Sequence, residues 1–252
     1  MKNINSYIAK MNDALQEKLF FVDKVELFKY DCIIEFGGAT GALLNEVSLI
    51  CKRKDVQYIN YDINENMLER CKFLHPHITA TNDFEILINA VKRNARTLVI
   101  FSSVLHEVIN FTEAYWLMRN AHTVVIRDMK RPLNNEPVAN VTRKRLLSEV
   151  APWQAQMFEN EWGKICDKET MYRFFLMNEY VENFETEVEE DYFSVPWSEI
   201  TWLMEGTHNC IYDRSFTLPY RKEQVKRRFN YVMNDFTHHE MIFIKKQVYF
   251  SN

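Results

Sequence analysis

Apolar positions along the chain follow two rhythms. Near the start, Ile8, Met11, Leu15 and Leu19 recur every three or four residues, with Lys10, Asp13, Glu17 and Lys18 between them, which predicts an amphipathic helix. From Asp31 the pattern alternates. Short apolar runs predict buried strands at 32–36, 56–61, 77–80, 97–101 and 123–127, and amphipathic stretches predict helices at 42–52, 65–73, 84–93 and 111–120. Strands alternating with helices of this length imply right-handed crossovers and a parallel sheet covered on both faces.

After Pro132 the rhythm breaks at a polar connection containing Asn134, Asn135, Pro137 and Asn140. Helices rich in aromatics and methionine are predicted at 141–161 and 168–183. A helix at 198–204, a strand at 210–218, a basic helix at 222–233 and a strand at 240–244 then resume the alternation. The expected fold is α/β, a Rossmann-like, doubly wound and mostly parallel seven-stranded sheet with an N-terminal helix and a helical insertion. As one domain over 1–252, it divides into N-terminal helices (1–30), a cofactor-binding core (31–132), a helical insertion or lid (133–197) and the C-terminal part of the sheet (198–252).

Composition narrows this picture further. The 252 residues are 47% hydrophobic and carry a net charge of −4, so no global positive field marks a nucleic-acid ligand. The five cysteines include no CxxC pair, which argues against a zinc knuckle or redox motif and leads us to expect reduced thiols in the cytoplasm. No run of about eighteen apolar residues suggests a membrane span.

The most informative segment is Glu35-Phe36-Gly37-Gly38-Ala39-Thr40-Gly41, between the first predicted strand and helix. Glycines there let the backbone turn sharply and approach a ligand, and the following helix start offers N–H groups to it. No Gly-Lys-Ser/Thr follows, so this is not a P-loop, and the spacing is not the GxGxxG of a dinucleotide turn. Asp62 closes the second strand 25 residues beyond Gly37, where a carboxylate can accept two ribose hydroxyl protons, and Ile63 and Met67 could cover an adenine. Asp83, after the third strand, suits an adenine amino group or a helix N-cap equally well. Ser102 and Ser103 follow the fourth strand, and the Leu105-His106 pair comes just after them.

In this order the segments resemble the class I S-adenosylmethionine-dependent methyltransferases, whose first motif is an acidic residue followed by GxGxG. Gly37 and Gly41 match its outer glycines, and Ala39 stands where the middle glycine usually is. The resemblance covers 31–132. It implies S-adenosylmethionine as cofactor, held by Glu35, Gly37, Gly38, Ala39, Thr40, Gly41, Asp62, Ile63, Met67, Asp83, Ser102 and Ser103.

His106, Glu107, Arg127 and Asp128 are the candidate catalytic residues. An imidazole can take a proton near neutral pH, so His106 could serve as a base, or it could orient its loop. Arg127 and Asp128 could bind the acceptor or pair with each other. His238-His239-Glu240 suggests a metal, but adjacent strand residues face opposite sides, so none is expected.

Arg143-Lys144-Arg145 and Lys226-Arg227-Arg228 could contact phosphates or form solvated faces. Trp153, Trp162, Phe174, Phe175, Trp197 and Trp202 could stack bases, wall a pocket or pack a core. The chain has no Pro-Pro or Pro-Cys, which disfavours exocyclic-amine and cytosine-carbon methylation.

The expected activity is direct methyl transfer to an oxygen or nitrogen of a small molecule or RNA. The alternative is a non-catalytic S-adenosylmethionine sensor or partner subunit, and an NAD-dependent oxidoreductase is a third reading. Homodimerisation through the N-terminal helix or the insertion suits the first two.

Overall fold

The computed structural model describes residues 14–178 and 183–247, which form two compact units. The sheet unit holds 14–128, 196–214 and 240–247, and the helical unit holds 129–178, 183–195 and 215–239. Ile8, Met11, Lys10 and Asp13 of the predicted first helix lie outside the described residues, and its remainder is the single turn α1 (Leu15–Lys18).

The strands are β1 (Cys32–Phe36), β2 (Gln57–Tyr61), β3 (Thr79–Thr81), β4 (Thr97–Ser102), β5 (Thr123–Met129), β6 (His208–Phe216) and β7 (His238–Lys245). They form one sheet in the order β3-β2-β1-β4-β5-β7-β6. β1 pairs in parallel with β2 and β4, β2 with β3, and β4 with β5.

β7 runs the other way. Lys245 N donates to His122 O and Lys246 N to Thr207 O at one end of it, while Lys130 N donates to Thr237 O and Thr237 N to Phe216 O at the other. The residues of β1, β4 and β5 are buried throughout, as expected of strands covered on both faces.

The connecting helices of the sheet unit are α2 (Ala42–Cys51), α3 (Glu65–Leu74), α4 (Phe84–Arg93) and α5 (Thr112–Asn120). Asn64 caps α3 by accepting from the N–H groups of Asn66 and Met67, and Asp83 caps α4 through Glu85 N. The core gathers Ile33, Leu44, Val47, Leu68, Leu98 and Ile242, with Leu15 and Leu19 packed against it. β3 begins at Thr79, not at His77, because Ile78 N closes a turn onto His75 O and the His77 ring bonds Ser48 Oγ.

The helical unit contains α6 (Asn140–Ser148), α7 (Pro152–Trp162), α8 (Lys168–Met177) and α9 (Phe184–Glu187). The sequence predicted one helix over 141–161. Pro152 divides it, since proline lacks the N–H that would continue α6 and suits the first turn of α7.

The helix predicted over 168–183 ends at Met177, where the Asn178 side chain folds back onto Phe174 O. Residues 179–182 lie outside the described set. α10 (Trp197–Glu205) belongs to the sheet unit and α11 (Pro219–Phe229) to the helical unit, where Val225, Phe229 and Met233 join Phe158, Phe174 and Phe175 in a second core. α11 stops short of the predicted Met233 because Asn230 adopts a left-handed conformation, φ +46°.

Candidate functional site

The turn from β1 into α2 is built from left-handed residues: Gly37 has φ +70°, Ala39 φ +47° and Gly41 φ +74°. A Cβ on Gly37 would lie 2.1 Å from Val104 Cγ2, so this glycine lets the turn touch the loop that follows β4. Tyr61 O accepts from Gly37 N at 2.7 Å, which ties the turn to the end of β2.

Asp62 braces the same turn. Its Oδ2 accepts from Ala39 N at 2.8 Å and its Oδ1 from Asn64 N at 2.8 Å. Asn60, which no sequence motif marks, supports it: its Nδ2 donates to Ala39 O at 2.8 Å, and its Oδ1 is buried without a hydrogen-bond partner among the described residues. Its signal is a buried-strand amide set between the apolar or aromatic residues Tyr58, Ile59 and Tyr61 of β2.

Glu35 is buried and accepts from Leu44 N at 3.1 Å, so it fastens β1 to the first turn of α2. Burial pushes its carboxyl up to about 7, against the opposing pull of the Lys18 ammonium. Lys18 is itself lowered, first by desolvation, and Glu35 acts in the opposite direction. Leu15, Lys18, Glu35, Gly38 and Thr40 line a cavity of about 20 Å³ against the turn. In the sequence Lys18 is one polar spacer among several in the N-terminal helix, and nothing in its spacing marks it.

Past the end of β4, Leu105–Glu107 form a 3-10 turn. Within it, His106 Nδ1 lies 2.7 Å from Asp128 Oδ1, while Asp128 Oδ2 accepts from Val104 N at 3.0 Å and Leu105 N at 2.7 Å. An ionised carboxylate only accepts, so the His106 proton sits on Nδ1 and leaves Nε2 as the basic nitrogen. Glu107 Oε1 lies 3.8 Å from that Nε2, and its carboxyl is raised above the usual range by desolvation first. Ser102 Oγ is buried with no hydrogen-bond partner among the described residues, and Ser103 has φ +56° with its N–H on Arg127 O at 2.7 Å.

Arg127 and Asp128 do not pair with each other. As neighbours on a strand they face opposite sides: Arg127 lies 3.7 Å from Glu240 and 3.8 Å from Glu17, while Asp128 meets His106.

The turn (Gly37 to Gly41) and Asp62 are thus joined by hydrogen bonds, as are His106 and Asp128. Ile63 is 83% exposed while Met67 is buried, so they do not share one surface. Asp83 Oδ1 caps α4 through Glu85 N at 2.9 Å. Phe174 and Phe175 are core residues and Arg173 stacks on Trp162 at 3.9 Å, while Trp202 is 77% exposed. Of the basic clusters, Arg143 binds Glu159, and Arg228 donates to Asn178 O. His238 Nδ1 meets Thr237 Oγ1, while His239 Nδ1 meets Ser215 Oγ.

No protein-family model matches the chain, and no curated protein matches it. Among solved structures, it is similar to the plantazolicin methyltransferase BamL in complex with a triazolic desmethylPZN analog and SAH, with a TM-score of 0.50 and 7% identity over 93% of this chain and 85% of that one. The chain has the class I methyltransferase fold. It also matches the PH0226 protein from Pyrococcus horikoshii (TM-score 0.48, 10% identity, covering 97% and 93%) and the MccD protein (0.47, 8%, covering 92% and 96%).

In this methyltransferase fold the glycine turn, Asp62 and the His106 loop follow the carboxyl ends of parallel strands and Ser102 is the last residue of one, at the edge where open α/β sheets hold their ligands. Among the described residues no helix is long and apolar enough to cross a membrane.

Proposed function

We propose that this chain is an S-adenosylmethionine-dependent methyltransferase that transfers a methyl group directly to an oxygen or nitrogen of a small-molecule or RNA acceptor. The observation that carries the reading is the His106–Asp128 pair, in which the carboxylate faces Nδ1 and leaves Nε2 as the other ring nitrogen, on the loop past the carboxyl end of β4.

The residues present suit the cofactor. Ser102 Oγ is a buried polar atom without a hydrogen-bond partner among the described residues, and the braced glycine turn brings backbone close to any ligand at the end of β1. Glu35, Gly37, Gly38, Ala39, Thr40 and Gly41 would form the floor of the methionine end. Asp62 and Ile63 would stand by the ribose and adenine, with Asp83 and Ser103 at the rim and Met67 supporting from within. The cofactor supplies an electrophilic methyl group when bound. His106 Nε2 would then accept the proton that the acceptor oxygen or nitrogen loses, and Asp128 would stabilise the resulting imidazolium. Glu107 would modulate that nitrogen from the side, and Arg127 would fix the end of β5 through Glu240.

A cavity of about 20 Å³ is far below the several hundred Å³ of a cofactor pocket, so Leu15 and Lys18 would have to shift for the methionine end to enter. That requirement also suits a second reading, a non-catalytic sensor in which the cofactor's chief effect is to displace the N-terminal segment.

Calorimetric titration with S-adenosylmethionine and S-adenosylhomocysteine tests the cofactor, and an acceptor screen with labelled methyl separates enzyme from sensor. Saturable binding is expected; a folded protein that binds neither would overturn both readings. An Asp62→Ala variant informs only alongside its thermal stability, because Asp62 also braces the turn.

A further inference from the structure

Within the helical unit, the side chains of Lys130, Ser215 and His239 converge. Lys130 Nζ donates to Ser215 Oγ at 2.9 Å and lies 3.4 Å from His239 Nδ1, and Ser215 Oγ lies 2.8 Å from the same Nδ1. Lys130 N bonds Thr237 O and Thr237 N bonds Phe216 O, so backbone ladders hold the three positions in register.

The protons can be assigned. An ammonium only donates, so Ser215 Oγ accepts from Lys130; the same ammonium 3.4 Å from His239 Nδ1 disfavours an N–H on that nitrogen, so Ser215 turns its own proton to it. His239 then carries its proton on Nε2. Lys130 has three N–H donors, and its contacts here are one hydroxyl and one imidazole. Among the described residues no carboxylate pairs with it, although the side chain is half-buried and His239 is buried. A cation partly withdrawn from water with no carboxylate partner is poorly compensated, and an anion placed on its remaining donors relieves that cost.

We propose that Lys130, Ser215 and His239 form an oxyanion-binding site that takes a carboxylate or phosphate group of a small ligand. Lys130 supplies the charge and free N–H donors, Ser215 fixes the direction of the ammonium, and His239 fixes Ser215. The proposal is independent of cofactor binding and of methyl transfer.

The test is a titration of the full chain with sodium acetate and, separately, with inorganic phosphate at constant ionic strength. Binding is read from the His239 imidazole signals by NMR, assigned by their loss in His239→Gln. At least one anion should shift the signals saturably while chloride does not, and the one that does identifies the preferred oxyanion. Lys130→Met should weaken that response at least about tenfold, and Lys130→Arg should largely retain it.

Should Lys130→Met fail to fold, Ser215→Ala decides in its place, with a weaker response expected. The proposal is overturned if neither anion gives a saturable shift, if chloride does the same, or if the response survives unchanged in Lys130→Met or, in its place, Ser215→Ala.

Discussion

His106 and Asp128 meet through a 2.7 Å contact between Nδ1 and Oδ1, and the other Asp128 oxygen holds the backbone of the loop that carries His106. One carboxylate therefore sets both where the imidazole stands and which of its nitrogens is basic. Asp128→Asn separates these roles. The amide oxygen can keep accepting from Val104 and Leu105, while the amide nitrogen, now a donor, faces Nδ1 and moves the ring proton to Nε2. We expect a folded protein whose His106 tautomer has switched in nitrogen NMR, with methyl transfer reduced roughly 10²- to 10⁴-fold. Unaltered turnover with a switched tautomer would remove His106 from the proposed reaction.

Ala39 is the only non-glycine among the three left-handed residues between Phe36 and Ala42. A left-handed alanine costs roughly 1–2 kcal/mol, partly offset in a glycine variant by about 0.4–1 kcal/mol of extra unfolded-state entropy. Ala39→Gly should therefore raise stability by about 0.5 kcal/mol, and Ala39→Val should lower it by about 2 kcal/mol or more, as read by urea denaturation. A destabilised glycine variant would contradict the strain.

The alternation of strands and helices from β1 to β5 was legible because each strand there is buried on both faces and each helix carries one apolar stripe. Boundaries were less so, since they depend on single residues: Pro152 divides a continuous apolar pattern, and Asn230 ends a helix by its conformation. In the site, Asp62 and His106 stood out because charged or titratable groups at strand ends are conspicuous. Their partners were hidden. Asn60 and Lys18 reach the turn through the folded arrangement of β2 and α1, and the pairing of Asp128 with His106, not Arg127, follows from alternation along β5.

Asp62 accepts two backbone N–H groups, one in the glycine turn and one at the start of α3. Removing it leaves two donors without their partner, so Asp62→Ala should cost about 1–3 kcal/mol. Asp62→Asn keeps one accepting oxygen and should lose roughly half as much. Equal stability of the alanine variant and the parent in thermal unfolding would show that water replaces the carboxylate at no cost.

Glu35 gives the fold a pH dependence of definite sign. Its folded value of about 7 lies above that of an unfolded glutamate, near 4.3, so the native state holds its proton more tightly. The associated stability is complete below about pH 4.3 and is lost as pH rises through about 7. The loss should be on the order of 1–3 kcal/mol. Glu35→Gln keeps an oxygen for Leu44 N and cannot ionise, so its stability should change less than the parent's between pH 5 and pH 8, by about that amount. Lys18→Met removes the favourable ammonium and should steepen the parent's decline over the same interval. Denaturant midpoints of the three proteins measured across that range decide the matter. A parent whose stability rises with pH relative to Glu35→Gln would mean that Lys18 holds Glu35 ionised throughout that range.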